Sequence, residues 1–261
     1  MNELNLLACL SSLSPREFLE SKSCGAYTVI PLTSYGALDL PFHTFRLYES
    51  FMSVFPSRND CIASFAYSLL RSLTLPGIII DANSPNQRSI VTILAGVNNV
   101  DGLELHCQSN SFDLMLGAPI QDSKSTAVDI QAYTRSYPKV KVSSWPTERK
   151  SIERLRPITC SETIMARYET LNDKVIGMYD LTEGLTSNLF ITRENQLITA
   201  PDDLVLEGSM ARLVKRAAAH IGVLTSTEKL SLSKARSWSG AFLTSKTVLC
   251  IAQCLPIVSI V

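Results

Sequence analysis

Across 261 residues the chain has no CxxC pair, only three histidines (His43, His106 and His220) and no apolar run near the roughly 18 residues of a membrane span. Its formal net charge is zero, from 24 basic and 24 acidic residues, with no long block of either sign. Each shortage excludes a class of function. Three dispersed histidines do not assemble a histidine-based metal site. A balanced surface argues against nucleic acid or a membrane surface as the main partner. Met1-Asn2-Glu3-Leu4-Asn5 lacks a basic segment ahead of an apolar core, so no secretory leader is expected. Seven cysteines, an odd number scattered from Cys9 to Cys254, point to free thiols in a reducing compartment, and the expected location is the cytoplasm.

The stretch that carries chemistry is Glu183-Gly184-Leu185-Thr186-Ser187-Asn188-Leu189-Phe190. It offers a carboxylate, a glycine suited to a tight bend, two hydroxyls, an amide and a strand start. A carboxylate projecting from a rigid element can hold a proton on a heteroaromatic nitrogen, which is what a pyridoxal 5′-phosphate (PLP) site asks of its ring-nitrogen partner. The competing reading of the octapeptide is a capped turn between two strands.

The periodicities predict an α+β chain of two subdomains, 1–118 and 127–261, joined by a linker over 119–126. In the first, a strand over 26–30 ends at Pro31. A helix over 42–55 carries the apolar stripe Phe45, Tyr48, Met52 and Phe55, with Arg46 off the stripe beside Phe42 and Ser50. A second helix runs from an Asp60 N-cap to Leu73 with Ile62, Phe65, Leu69 and Leu73 inward, and strands follow over 78–81, 90–97, 103–106 and 112–116. In the second, strands are expected over 127–134 and 139–143, at 162–168 and 174–180 around Asn172-Asp173, and over 188–192 and 196–199. A helix from an N-cap at Ser209 to Ile221, with Leu213, Val214, Ala217 and Ile221 buried, precedes closing strands over 240–244 and 247–251.

The pattern resembles the class IV, D-amino acid aminotransferase-like PLP enzymes, a family that includes branched-chain aminotransferases and 4-amino-4-deoxychorismate lyases. Gly25-Ala26-Tyr27-Thr28 followed by His43-Thr44-Phe45-Arg46-Leu47 looks like the family's early strand and its His-x-x-Arg-Leu helix. The resemblance makes Arg46 a ligand of the cofactor phosphate and puts Tyr27 on the substrate side. Glu183 to Phe190 matches the Glu-Gly-x-x-x-Asn pattern, so Glu183 maps onto the partner of the pyridinium nitrogen and Asn188 onto the asparagine beside the cofactor. Leu206-Glu207-Gly208-Ser209-Met210 looks like the helix start whose backbone N–H groups hold the phosphate, through Gly208, Ser209 and Met210.

Three departures accompany these matches. The family lysine that carries PLP as a Schiff base maps onto Lys150, but Leu155 replaces a tyrosine and Pro157 cuts short the helix that should follow. An alternative alignment that keeps the helix puts Arg156 at the lysine's place. Met210 stands where a threonine is usual, and Lys246 where a neutral hydroxyl is, so Lys246 is expected to neutralise phosphate and to oppose Glu207. The resemblance implies a PLP-dependent enzyme acting on an amino acid, by transamination or lyase chemistry, and a homodimer. The alternative is a degenerate member that lost its lysine and serves as a binding or assembly protein. A weaker third reading uses Cys160 as a nucleophile.

Overall fold

The computed structural model describes residues 5–8, 13–22, 24–33, 36–74, 89–98, 102–111, 127–245 and 249–250. The expected strands at 78–81 and 112–116, the linker at 119–126 and Lys246 lie outside the described residues. The chain divides into two compact units, Met1–Leu116 with Val140–Glu148, and Gly117–Lys139 with Arg149–Val261. Set beside the expected 1–118, 119–126 and 127–261, this division ends the first unit's main segment at Leu116 and returns Val140–Glu148 to it.

The first unit is built on a five-stranded sheet of β1 (Asn5–Ala8), β2 (Ala26–Thr33), β3 (Gly36–Ala37), β4 (Ser89–Val97) and β5 (Leu103–Ser111), in the order β1-β5-β4-β2-β3. Period-two alternation gives it two apolar faces. Val91, Ile93 and Ala95 face a cluster with Leu47, Phe51, Phe65 and Leu69. These come from α2 (Leu40–Val54) and α3 (Ile62–Leu73). Ile90 and Leu94 face a smaller cluster with Phe18 and Leu19, from α1 (Pro15–Glu20). The short helix α4 (Trp145–Glu148) also belongs here. Of the strand expected over 139–143, only a bridge between Val142 and Ala26 forms.

Three expectations need correction. β2 runs through Pro31 rather than ending there. The Pro31 carbonyl accepts from the Leu38 N–H at 3.0 Å, so its nitrogen faces the edge carrying only the two-residue β3, where a missing donor is cheap. The buried face of α2 is not the Phe45 stripe. Phe45 is 51% exposed, while Phe42, His43, Arg46, Leu47, Ser50 and Phe51 are buried. The helix rotates this way because His43 Nδ1 pairs with the Thr28 hydroxyl of β2 at 2.9 Å, an attraction that apolar periodicity does not report. In α3 the N-cap is Cys61, not Asp60, which is held by Arg58 at 2.6 Å, and Ile62 turns outward.

The second unit is a nine-stranded sheet whose main path is β11 (Leu224–Thr227), β10 (Gln196–Thr199), β9 (Asn188–Arg193), β8 (Lys174–Gly184), β7 (Glu162–Leu171) and β6 (Val128–Ala132). β12 (Leu230–Ser231) adds to β8, and β13 (Gly240–Thr244) lies on β9 and carries β14 (Leu249–Cys250). The β7–β8 hairpin closes on Asn172 and Asp173 at φ 50° and 61°, the left-handed pair that a two-residue turn demands. Two helices complete the unit. α5 (Lys150–Leu155) has six residues and stops ahead of Pro157, so the family's long helix is shortened here. α6 (Ser209–His220) buries Ser209, Ala211 and Ala218, not the expected stripe; Ile221 is 74% exposed. Its N-cap is Gly208, one residue before the expected Ser209.

The core also constrains thiol chemistry. Burial pushes the Cys107 thiol from the usual 9.0 up to about 11, against a lowering hydrogen bond with Ser72. The folded state thus disfavours the thiolate. The resulting stabilisation is complete below the unfolded value and is lost as pH rises from about 9 to about 11, on the order of 2–3 kcal/mol. Urea melts of wild type and Cys107→Ala across that range check this: the wild-type loss should exceed the variant's by that amount. At pH 8 a thiol reagent should modify the exposed Cys24 and Cys61 in the folded protein and leave Cys107 unmodified until it unfolds.

Candidate active site

The site of the second unit begins at the bend between β8 and β9. The Gly184 N–H donates to the Ser187 carbonyl at 2.8 Å, and the Leu185 N–H to the Thr163 carbonyl at 3.1 Å. Inside the bend sits Glu162, a buried carboxylate that sequence reasoning missed. It accepts from the Thr186 hydroxyl at 2.7 Å, the Ser187 hydroxyl at 2.9 Å and the Thr186 N–H at 3.3 Å. Gly184 is required by close approach rather than by a left-handed φ: a Cβ there would lie 2.2 Å from Ser187 Oγ and 3.0 Å from Glu162 Cγ. Gly184→Ala should therefore push Ser187 off Glu162 and cost about 1–3 kcal/mol. Thermal melts check it, and an unchanged Tm would show that the bend relaxes freely.

This clamp fixes the two residues flanking the bend. Glu183 and Asn188 are opposite partners across β8 and β9, so their side chains share one face. Both are buried, at 4% and 7% exposure. Glu183 Oε2 accepts from the Leu206 N–H at 3.1 Å and from Asn188 Nδ2 at 3.4 Å. Asn188 donates from Nδ2 to the Leu206 carbonyl at 2.7 Å and accepts the Gly208 N–H at 3.1 Å. The asparagine thus ties the hairpin to the chain entering α6, and Gly208 must lack a Cβ, which would meet Asn188 Oδ1 at 2.4 Å.

The second oxygen of Glu183 meets Arg135. Nη1 of Arg135 donates to Oε1 at 2.9 Å, with both side chains almost fully buried. No motif marks Arg135 in the sequence. It follows β6 in an irregular segment, and only the fold brings it 48 positions along the chain to Glu183.

Gly208 caps α6 with an extended backbone and no side-chain hydrogen bond. Its own N–H is spent on Asn188, and Arg212 N–H closes the first turn on the Gly208 carbonyl at 3.0 Å. The N–H groups of Ser209 and Met210 head the helix, where the dipole favours negative charge. Met210 in place of threonine removes a hydroxyl but leaves the backbone donor. Glu207, just before this cap, is met by Lys215 Nζ at 3.4 Å, so a cation within α6 already faces the charge for which Lys246 was proposed.

Lys150 is half-buried and opens α5. Arg149, the residue before it, donates to the Leu185 carbonyl at 3.4 Å and pairs with Glu153 at 2.9 Å, tethering the start of α5 to the bend beyond Glu183. Arg156 ends α5 and donates to the Ser161 carbonyl at 3.2 Å. Leu155 is 73% exposed.

Two candidates belong to the first unit. Arg46 is buried, donates to the Thr28 hydroxyl at 3.3 Å and stacks over Phe42 at 4.8 Å. Tyr27 packs with Phe18, Leu19, Val29, Ile90 and Leu94, with Lys141 Nζ 4.8 Å from its ring centre. Among the described residues no cluster of three or more metal-ligating side chains occurs, and no helix is long and apolar enough to cross a membrane.

The chain belongs to the class IV aminotransferase family, whose sequence profile matches residues 25–260. No curated protein matches it in sequence. Solved structures share its fold at low identity. One is a branched-chain aminotransferase from Thermoproteus uzoniensis, solved with norvaline (16% identity, 92% of this chain and 79% of that one, TM-score 0.59). Another is a candidate 4-amino-4-deoxychorismate lyase from Legionella pneumophila (14%, 93% and 87%, 0.59). A third is a hypothetical aminotransferase from Mycobacterium tuberculosis in a PLP-bound form (13%, 89% and 83%, 0.64).

Proposed function

We propose that the chain binds PLP and acts on an amino acid, by amino-group transfer or, where the substrate carries a leaving group, by elimination. The observation that carries the reading is the buried Glu183 carboxylate knitted through Asn188 to the start of α6. The donor set fits the group: a carboxylate for a ring nitrogen and unshared backbone N–H groups at a helix start for a phosphate. When bound, PLP supplies an electron sink for charge developing at the amino acid's α-carbon.

The roles of the chain's own residues follow. Glu183 keeps the ring nitrogen protonated, and Arg135 with the Leu206 N–H keeps that carboxylate in place. The Ser209 and Met210 N–H groups take phosphate oxygens. The Lys150 amine would anchor the cofactor covalently and move the α-proton of the amino acid; Arg149 beside it ties the start of α5 to the bend. Arg46 is a proposed phosphate ligand on the family resemblance, and so are the homodimer and the cytoplasmic location. Four free cysteines among the described residues agree with a reducing compartment.

The test is a half-reaction. The PLP-loaded protein is mixed with a panel of D- and L-amino acids, and the products are separated by chromatography. Pyridoxamine 5′-phosphate with a keto acid marks transfer, and pyruvate without it marks elimination. An unchanged cofactor with no keto acid released from any amino acid would contradict the reading and favour a binding or assembly role.

A further inference from the structure

The helix that opens on Lys150 has little of its own to hold it. α5 has six residues, well below the roughly 12–15 at which an isolated helix is even marginal in water. Ile152 is its one buried residue. It also starts at a crossing, because the chain returns to the second unit at Arg149. Polar ties therefore decide where α5 sits. At its end Arg156 donates to the Ser161 carbonyl at 3.2 Å. Midway, Gln131 of β6 donates from Nε2 to the Ile152 carbonyl at 3.4 Å. At its start Arg149 holds two groups at once: its Nε lies 2.9 Å from Glu153 Oε1, and its Nη1 donates to the Leu185 carbonyl at 3.4 Å. A guanidinium suits this use, since its donors stand in a fixed planar fork.

The group that receives Arg149 is itself fixed. Leu185 is buried, its N–H donates to the Thr163 carbonyl at 3.1 Å, and it follows Glu183 by a single intervening residue. We propose that Arg149, set by Glu153, is a positioning residue for Lys150, fastening that amine to the same bend that carries Glu183. The inference rests on the proposed PLP site. Arg149 and Lys150 are joined by one peptide, so their Cα atoms stay about 3.8 Å apart, and a shift of the first carries the second. Loss of the tie frees the start of α5 and leaves the bonds of Glu183 and Asn188 to the start of α6 in place. A misplacement on the order of 1 Å of a reacting group costs about a hundredfold in rate. Pro157 ends α5 early, so the arginine supplies by a tether what a longer helix would supply by packing.

The test separates the amine from the rest of the site. Cofactor-free protein is mixed with PLP and cyanoborohydride, and the pyridoxyl group on Lys150 is followed over time by peptide mass. Calorimetric titration with pyridoxine 5′-phosphate, which lacks the aldehyde and attaches to no lysine, reads non-covalent binding. Arg149→Met keeps the stem and removes the donors. It should slow labelling of Lys150 about ten- to a hundredfold, with wild-type affinity for pyridoxine 5′-phosphate. Glu153→Gln keeps the arginine but removes the charge that sets it, and should give a smaller loss of the same kind. Labelling at the wild-type rate in Arg149→Met, or in Glu153→Gln should Arg149→Met not fold, would overturn the assignment of Arg149 alone. Parallel losses of labelling and of pyridoxine 5′-phosphate affinity would overturn it too, marking a general structural role. Wild-type protein that binds pyridoxine 5′-phosphate but takes no label at Lys150 would overturn Lys150 as the anchor and Arg149 with it. Neither binding nor label in wild type would overturn the PLP reading itself.

Discussion

Glu183→Ala should destabilise the protein by about 3–5 kcal/mol, because it leaves the buried Arg135 guanidinium without its carboxylate. For a chain of this size the fall in Tm is roughly 10 °C. The pair is buried on both sides at 2.9 Å, so solvent cannot screen the charge left behind. Glu183→Gln keeps an acceptor for Arg135 and should cost less. The double variant Arg135→Met/Glu183→Met removes both charges and should recover most of the stability, since apolar replacement of a buried ion pair is often neutral. It should still fail to turn over an amino acid. Catalysis in Glu183→Gln should fall about 10²–10³-fold, the scale of losing one preorganised electrostatic partner. If the double variant kept wild-type turnover, Glu183 would be a structural residue and nothing more.

Lys150 carries the second large effect. Lys150→Ala and Lys150→Arg should both lose at least about 10²–10⁴-fold in turnover, the share of a positioned proton-transfer group. Arginine keeps the charge and length but does not release a proton at neutral pH, so its failure would separate chemistry from electrostatics. Both variants should fold normally, because a half-exposed helix-start lysine is worth little to stability. Wild-type turnover in either one would make Lys150 a solvated charge among Arg149, Arg154 and Arg156.

The parts of this fold written in local chemistry were legible. Asn172-Asp173 announced a hairpin, and Ser209, expected as an N-cap ahead of a periodic segment, announced α6 to within one residue. The Glu183 to Asn188 pattern announced the bend, although it did not reveal why Gly184 must be glycine. That reason is the Ser187 and Glu162 side chains, and Glu162 lies on another strand. Arg135 was invisible for the same cause: its partner is far along the chain, and buried arginines look like surface ones in sequence. The faces of α2 and α6 were misread because apolar periodicity assumes that apolar residues go inward. In α2 a buried polar group, His43 with Thr28, sets the rotation instead.

The most direct measurement is borohydride reduction of the PLP-loaded protein followed by peptide mapping. The proposed function predicts a visible absorbance band that reduction abolishes, with a pyridoxyl group on Lys150 and none after Lys150→Ala. A pyridoxyl group on a different lysine would contradict the placement of the catalytic amine, and no pyridoxyl peptide at all would contradict a PLP enzyme.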